Sequence, residues 1–479
     1  MATSAKDAGL VRSEPPFEAQ GKRGKPFDSL RASPFEAQGK QAEAATRWTN
    51  DFVRRLASHP VAKNTLALYA LQFAGYVIPL VTLPYLARVL RADGFGLLLF
   101  AQSFALWGSI TFEYGFNLSA SREIAQNRGN REALAATAAG VLGAKLVLLI
   151  GFVMVSTVAA FTVGIFHEHP NYLIWAVVQA LAFGFSPFWY FQGTERMVGA
   201  VITEFVARAL AAVSIFVLVR VPEDGWKALA ALAVAGCGVV LVQTSWMYWQ
   251  IGFRRFRWQD TTGALKRGWN MFLFRGASNI YGAANAFILG LFVPPLQVGY
   301  FGGAERIAKA LQGLTLPFTQ AFYPHMSRLV AQDASKASRL ARWTVPLAGG
   351  AGLAVAVAVG LVASRAISLI LGPHYGESVR VLYVFSLLIP LNAINNALIM
   401  HWMLPHRMER TVGAVTLCAI AINLVSATVL APLFAHRGMA WAVLIAEIFQ
   451  LSAFGLILFR GGLAEVRDIP TAVSIQVEH

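Results

Sequence analysis

From Asn64 onward the chain is a succession of apolar runs, each roughly 20 residues long, separated by short polar loops. That alternation limits what the chain can become more than any other feature. A helix of that length spans the roughly 30 Å of hydrocarbon in a bilayer. The stretch Asn64 to Arg131 shows the pattern best. An apolar run broken by Pro79 and Pro84 turns at Arg91-Ala92-Asp93-Gly94. A second run, Phe95 to Gly115, carries one acid, Glu113, and ends in Asn117 and a basic loop. This reads as a helical hairpin across a membrane. About twelve such spans can be counted, so the expected fold class is an all-α polytopic membrane protein.

Composition agrees. The chain is 56% hydrophobic and only 14% charged, with a mean hydropathy of +0.54, whereas soluble domains carry about 25% charged residues. The formal net charge of +15 could suggest nucleic acid. The basic residues instead sit in alternate short loops and in the polar N-terminal segment, which is topological bias rather than a docking stripe, so no nucleic-acid partner is expected. Cys237 and Cys418 lie inside apolar runs and support neither a disulfide framework nor a zinc cluster. His167 and His169 flank Glu168 in a loop without further ligands, so no metal is expected. No GK[ST] motif accompanies the glycine-rich runs. No cofactor is implied.

Loop charge orders the chain. One set of loops holds Arg122, Arg128 and Arg131, then Arg196, then Arg254, Arg255, Arg257, Lys266 and Arg267, then Arg328, Lys336, Arg339 and Arg342, then Arg407 and Arg410. The opposite set is poorer in basic residues, which places the first set and both termini in the cytoplasm. The basic loop after the sixth span divides the chain. The expected domains are a disordered cytoplasmic extension (1–62), an N-lobe of six spans (63–250), a cytoplasmic linker (251–268), a C-lobe of six spans (269–461) and a cytoplasmic tail (462–479). The extension repeats PFEAQGK at Pro16 and at Pro34 and is given no fold. VGYFGGAERIA echoes DGFGLLLFAQSFA when Gly299 is set against Gly96, as two parallel six-span repeats would require. The expected architecture is two lobes facing a central cavity.

Charges inside a membrane are costly, at least about 2.5 kcal/mol each on insertion scales, and mark pathways or packing. Arg275, Ser278, Asn279, Gly282 and Asn285 share one face of the seventh span. Glu305, Lys309 and Gln312 share a face of the eighth, with Arg306 adjacent. A Glu305–Lys309 pair leaves Arg275 and Arg306 as excess positive charge, so Arg275, Asn279, Arg306 and Lys309 are candidates to line a cationic cavity for an anionic cargo. In the first lobe Tyr69, Gln72, Tyr76 and Pro79 fall on one face. Glu113 and Glu305 are candidates for ion coupling. Glu204 and Arg208 read as an i,i+4 structural pair, and Lys145 as a lysine snorkelling from a span end. Asn392, Asn395 and Asn396 give the tenth span a polar face behind Pro390, which interhelical hydrogen bonding explains. Glu447 stands alone in the last span.

The opening stretch also resembles a known family. YVIPLVTLPYLARVLRADGFGLLLFAQSF followed by EYGFNLSASREIAQNRGNREAL is similar to the N-terminal signature of Wzx-type polysaccharide flippases of the MOP superfamily. Those proteins commonly have Asp where this chain has Glu113. The resemblance covers about 70 residues closely and the span layout over 64–460. It implies a bacterial inner-membrane, MATE-like protein that moves undecaprenyl-pyrophosphate-linked oligosaccharide repeat units to the periplasmic leaflet by alternating access. O-antigen or exopolysaccharide synthesis would be the setting. Arg88, Gly94, Gly96, Glu113, Asn117 and Arg122 are the motif positions carried over, with structural or gating roles. The lipid-linked oligosaccharide and the bilayer are the expected partners, and a polysaccharide polymerase and a chain-length regulator the candidate protein partners. A drug/cation antiporter of the same superfamily would favour acidic groups in its cavity. A polymerase or ligase would carry a large periplasmic loop, and none is present.

Overall fold

The computed structural model describes residues 60–255, 257–313 and 316–461. The expected extension up to residue 59 and the tail from 462 lie outside the described residues. Every regular element among the described residues is helical. The first half of the chain forms α1 (Pro60–Glu113), α2 (Phe116–Gln126), α3 (Arg131–Thr162), α4 (Gly164–Glu168), α5 (Pro170–Gly184), α6 (Phe188–Gly193), α7 (Met197–Leu218) and α8 (Gly225–Ile251). The second forms α9 (Trp258–Gly290), α10 (Pro295–Gly313), α11 (Leu316–Gln332), α12 (Ala334–Ile370), α13 (Ser378–Leu398) and α14 (Glu409–Gly461).

Among the described residues, 8 helical stretches are long and apolar enough to cross a membrane. Two of these double back. α1 breaks at Arg91 (φ 55°, ψ −176°) and α14 at Ala435 (φ 52°, ψ −132°), so each supplies two passes. The break in α1 coincides with the expected hairpin turn, but it is one residue in a conformation that side chains disfavour. α9, α10 and α11 are not among the eight; α10 carries Glu305, Arg306 and Lys309 in 19 residues, and α11 is only 17 residues long. With them the layout corresponds to the expected about twelve spans, a multi-pass helical membrane protein.

α9 begins at Trp258, well inside the stretch read as a linker. Thr261 and Ala264 are buried there, and a Cβ on Gly140 of α3 would meet the Asp260 carbonyl at 2.8 Å. The polarity of Gln259 to Arg267 hides a packed face. Ion pairs bring some of the loops together at two ends. At one end Arg128 bridges to Glu195 (2.7 Å) and Arg267 to Glu123 (3.1 Å). At the other end Gly94 approaches the Pro222 carbonyl and Tyr375 donates to the Ala87 carbonyl (3.0 Å). That second end is neutralised rather than basic: Glu377 takes Arg437 at 2.6 Å and Arg380 at 3.4 Å, and Asp224 takes Lys227 at 2.5 Å.

Candidate functional site

The second half of α1 and α10 run side by side away from the neutral end. Their contacts repeat in matched steps. A Cβ on Gly299 would lie 1.9 Å from the Ala92 carbonyl, and one on Gly96 would lie 1.8 Å from the Pro295 carbonyl. Each helix thus sets a glycine against the carbonyl four residues before the other's glycine. Such approach is possible only without a side chain and favours Cα–H···O contacts between the two backbones. One turn on, a Cβ on Gly302 would stand 3.7 Å from Leu99 Cβ. Another turn on, Arg306 crosses to hydrogen-bond the Gln102 amide and lies 5.8 Å over the Phe95 ring.

Arg88, four residues before Ala92, donates to the Leu369 carbonyl near the end of α12. A cation suits the negative end of a helix. The motif positions Arg88 and Gly96 therefore belong to one seam that joins the two halves of the chain at the neutral end, while Gly94 packs against the Pro222 carbonyl within the first half.

On α10 the acid is already engaged. Glu305 takes Lys309 at 3.0 Å and the Asn285 amide at 3.2 Å. Arg306 is held by the neutral Gln102, and Lys309 is about half-exposed. The side chains of Arg275, Asn279, Ser278 and Gly282 lie outside the described residues, as do those of Tyr69, Gln72 and Tyr76. α9 carries Arg275 and Asn279 midway along its length.

The other motif positions build a separate site. Tyr114 (φ 42°) and Gly115 (φ 75°) interrupt the helix between α1 and α2. Gly115 also comes against Met271 of α9, and Tyr114 stacks on Phe272 at 4.9 Å. Across that interruption Asn117 donates to Glu113 at 2.6 Å. Both line a cavity of about 430 Å³ with Lys145, Glu204 and Arg208. Lys145 does not snorkel. It is 3% exposed, and its ammonium donates to the Gly184 carbonyl at 2.7 Å and the Ser186 carbonyl at 3.4 Å. α5 ends at Gly184 and turns into α6, which frees those carbonyls for the lysine. The signal was one lysine in the middle of the apolar run Gly143 to Leu149; nothing in the sequence shows its partners. Glu204 and Arg208 stand 3.8 Å apart on the cavity wall. Gln243, fully buried, bonds Thr203 (2.9 Å), the Ala200 carbonyl (3.1 Å) and Ser186 (3.3 Å), and drew no attention in the sequence. Arg122 is exposed at the basic end.

Among the described residues the molecule is a helical multi-pass membrane protein with charges held inside it and its two halves joined at a small-residue seam. The family follows by comparison. Residues 61–330 match the family described as "Polysaccharide biosynthesis protein", and the chain belongs to it. A "Putative O-antigen transporter" of Escherichia coli (strain K12) is 29% identical over 397 residues, covering 81% of this chain and 94% of that one. A protein of the same name from Shigella dysenteriae is 26% identical over 400 residues, covering 81% and 97%. The fold is shared with "Lipid II flippase MurJ, inward closed conformation" (TM-score 0.55, 12% identity, 82% of this chain and 87% of that one). It is shared equally with an inward-facing multidrug resistance MATE family transporter of the MOP superfamily (TM-score 0.55, 16% identity, 82% and 100%).

Proposed function

We propose that the chain is a flippase that carries a lipid-linked oligosaccharide repeat unit, built on undecaprenyl pyrophosphate, from the cytoplasmic to the periplasmic leaflet of the bacterial inner membrane. The observation that carries this reading is the relationship to the two O-antigen transporter relatives, which runs through 81% of the chain. The basic loops face the cytoplasm, as do both termini. The spans before and after the basic loop act as two lobes, 63–250 and 269–461. In this arrangement the seam at Arg88, Gly96 and Gly299 closes the periplasmic end, and alternating access requires it to part. Arg306, Lys309, Arg275 and Asn279 meet the pyrophosphate. Arginine suits that role because its planar fork donates two hydrogen bonds to phosphate oxygens.

The reaction is tested in a strain lacking the gene. Lipid-linked repeat units should accumulate on the cytoplasmic leaflet, and the chain supplied in trans should clear them. Clearance of a cationic dye with no effect on lipid-linked sugar would instead favour a drug antiporter. The gate is tested by a Leu99→Cys/Gly302→Cys variant, free of Cys237 and Cys418. The 3.7 Å Cβ separation fits a disulfide. Oxidation should stop surface polymer formation and reductant restore it; undiminished transport by the cross-linked protein would remove the seam from the cycle.

A further inference from the structure

Glu447, alone in sequence, is not alone in space. It sits in the second half of α14, 8% exposed, and faces the asparagines of α13. Asn395 Nδ2 donates to Glu447 Oε2 at 2.8 Å and lies 3.5 Å from the Glu447 carbonyl oxygen. On the same helix Asn392 accepts from Asn396 at 2.8 Å. All of these partners are neutral amides. An ionised carboxylate shut inside a membrane protein with only neutral partners is unfavourable by several kcal/mol.

The surroundings supply no counter-cation among the described residues: on α12, which packs on α13, Lys336, Arg339, Arg342 and Arg365 are all exposed. α10 packs on α14, but its Glu305, Arg306 and Lys309 are engaged with Asn285, Gln102 and one another. His401, in the turn after α13, is fully buried between Thr344 and the Thr319 carbonyl. The first half of α14 has no ionisable side chain other than Cys418 between Arg410 and the break at Ala435. α9 also packs on α14; its Arg275 side chain lies outside the described residues.

A second observation says what is missing. Asn395 Oδ1 is buried and has no hydrogen-bond partner, although Asn395 is 2% exposed. A buried acceptor left unmade costs roughly 1–3 kcal/mol. A carboxamide and a carboxylic acid satisfy one another fully: the amide N–H donates to one oxygen of the acid, and the acid O–H donates to the amide oxygen. Half of that ring is in place at 2.8 Å. A hydrogen on Glu447 Oε1 would complete it.

We propose that Glu447 and Asn395 form a proton-binding site in the second half of the chain, with Glu447 holding the proton on Oε1 and donating it to Asn395 Oδ1. Binding converts one carboxylate and one proton into a neutral acid, and release returns the proton to water. The pair ties α13 to the last span, so gain or loss of the proton changes how those helices hold together. A device of this kind couples helix packing to proton supply. Its link to transport rests on the alternating-access reading; the occupancy of the site does not.

The test uses the full chain in lipid vesicles and infrared difference spectroscopy as pH is stepped from mildly acidic to mildly alkaline. The expected result is a carbonyl band of a protonated, hydrogen-bonded carboxylic acid at neutral pH. That band should be lost in Glu447→Gln and should move to higher wavenumber in Asn395→Ala, which removes the amide that hydrogen-bonds the acid. Identical spectra for the unaltered chain and Glu447→Gln overturn the proposal. So does disappearance of the band on adding sodium at constant pH, which marks a metal-ion site. Should Glu447→Gln not fold, the Asn395→Ala shift decides alone. Transport by the same vesicles under an imposed pH gradient separates the two readings: a band without lipid flipping contradicts the flippase, and flipping without the band contradicts the proton site.

Discussion

The second half of α1 and α10 occupy matched places on the two sides of one seam, yet they carry different freight. Both cross on a glycine placed against the other's carbonyl, at Gly96 and Gly299. Beyond the crossing α1 offers the neutral Gln102 where α10 offers Arg306, with Glu305 and Lys309 beside it. The helix that bears most of the recognisable motif is therefore mainly a packing surface. Its partner carries the charge. The contrast separates residues that close the molecule from residues suited to hold an anion, and it can be attacked from both sides.

The largest effect is expected from the charged side. Arg306→Glu combined with Arg275→Glu should abolish surface polysaccharide while the protein remains in the membrane at normal abundance, as read by polymer gels and immunoblot. Normal polymer would end the distinction between the helices. The packing side comes next. Gly299→Leu places a side chain where even a Cβ is 1.9 Å from the Ala92 carbonyl. Overpacking of this kind costs about 3 kcal/mol or more, so thermal stability in detergent should drop and the Leu99→Cys/Gly302→Cys cross-link should fail to form. Lys145→Met should be intermediate. It leaves the Gly184 carbonyl without its donor and removes the ammonium from the Glu113 cavity, costing about 1–3 kcal/mol and reducing transport without abolishing it.

The smallest effect concerns the neutral end. Burial would raise the Asp224 carboxyl, but the Lys227 ammonium and the backbone amides of Arg220 and Val221 outweigh it and hold it below the ordinary carboxylate range. A group depressed in the folded state stabilises above its unfolded pKa and loses that contribution as pH falls through the folded one. Asp224→Asn should thus cost about 1 kcal/mol at neutral pH, solvent screening the ion pair. The difference from the unaltered chain should shrink as the buffer is taken below the ordinary aspartate range of about 4. A melting difference that stays constant with pH would show that the carboxylate charge is not what holds this turn.

Much of this was legible because it depends on local pattern. Apolar runs of bilayer length report spans, and loop charge reports which loops share an end, since both follow from transfer energies of single side chains. The set of Glu305, Arg306 and Lys309 was visible for the same reason. The echo between Gly96 and Gly299 was also legible, but not its meaning: two positions matched by pattern turn out to pack near one another. What the pattern could not convey is pairing across distance. Lys145 looked like a span-end lysine because its partners, the Gly184 and Ser186 carbonyls, are freed only by the break between α5 and α6. Glu447 looked solitary because Asn395 stands on a different helix 52 residues away. The stretch Trp258 to Gly268 looked like a loop because its charges hide a face buried against α3.

The central claim is that this chain moves a lipid-linked oligosaccharide across a bilayer by opening and closing the seam. The most direct measurement is reconstitution of the purified chain in vesicles containing undecaprenyl-pyrophosphate-linked repeat units, with their exposure at the outer surface followed over time. The Leu99→Cys/Gly302→Cys form is compared oxidised and reduced in the same preparation. Flipping well above protein-free vesicles in the reduced form, and none in the oxidised form, is the expected result. Exposure no faster than in protein-free vesicles, or equal rates in the two redox states, would contradict it.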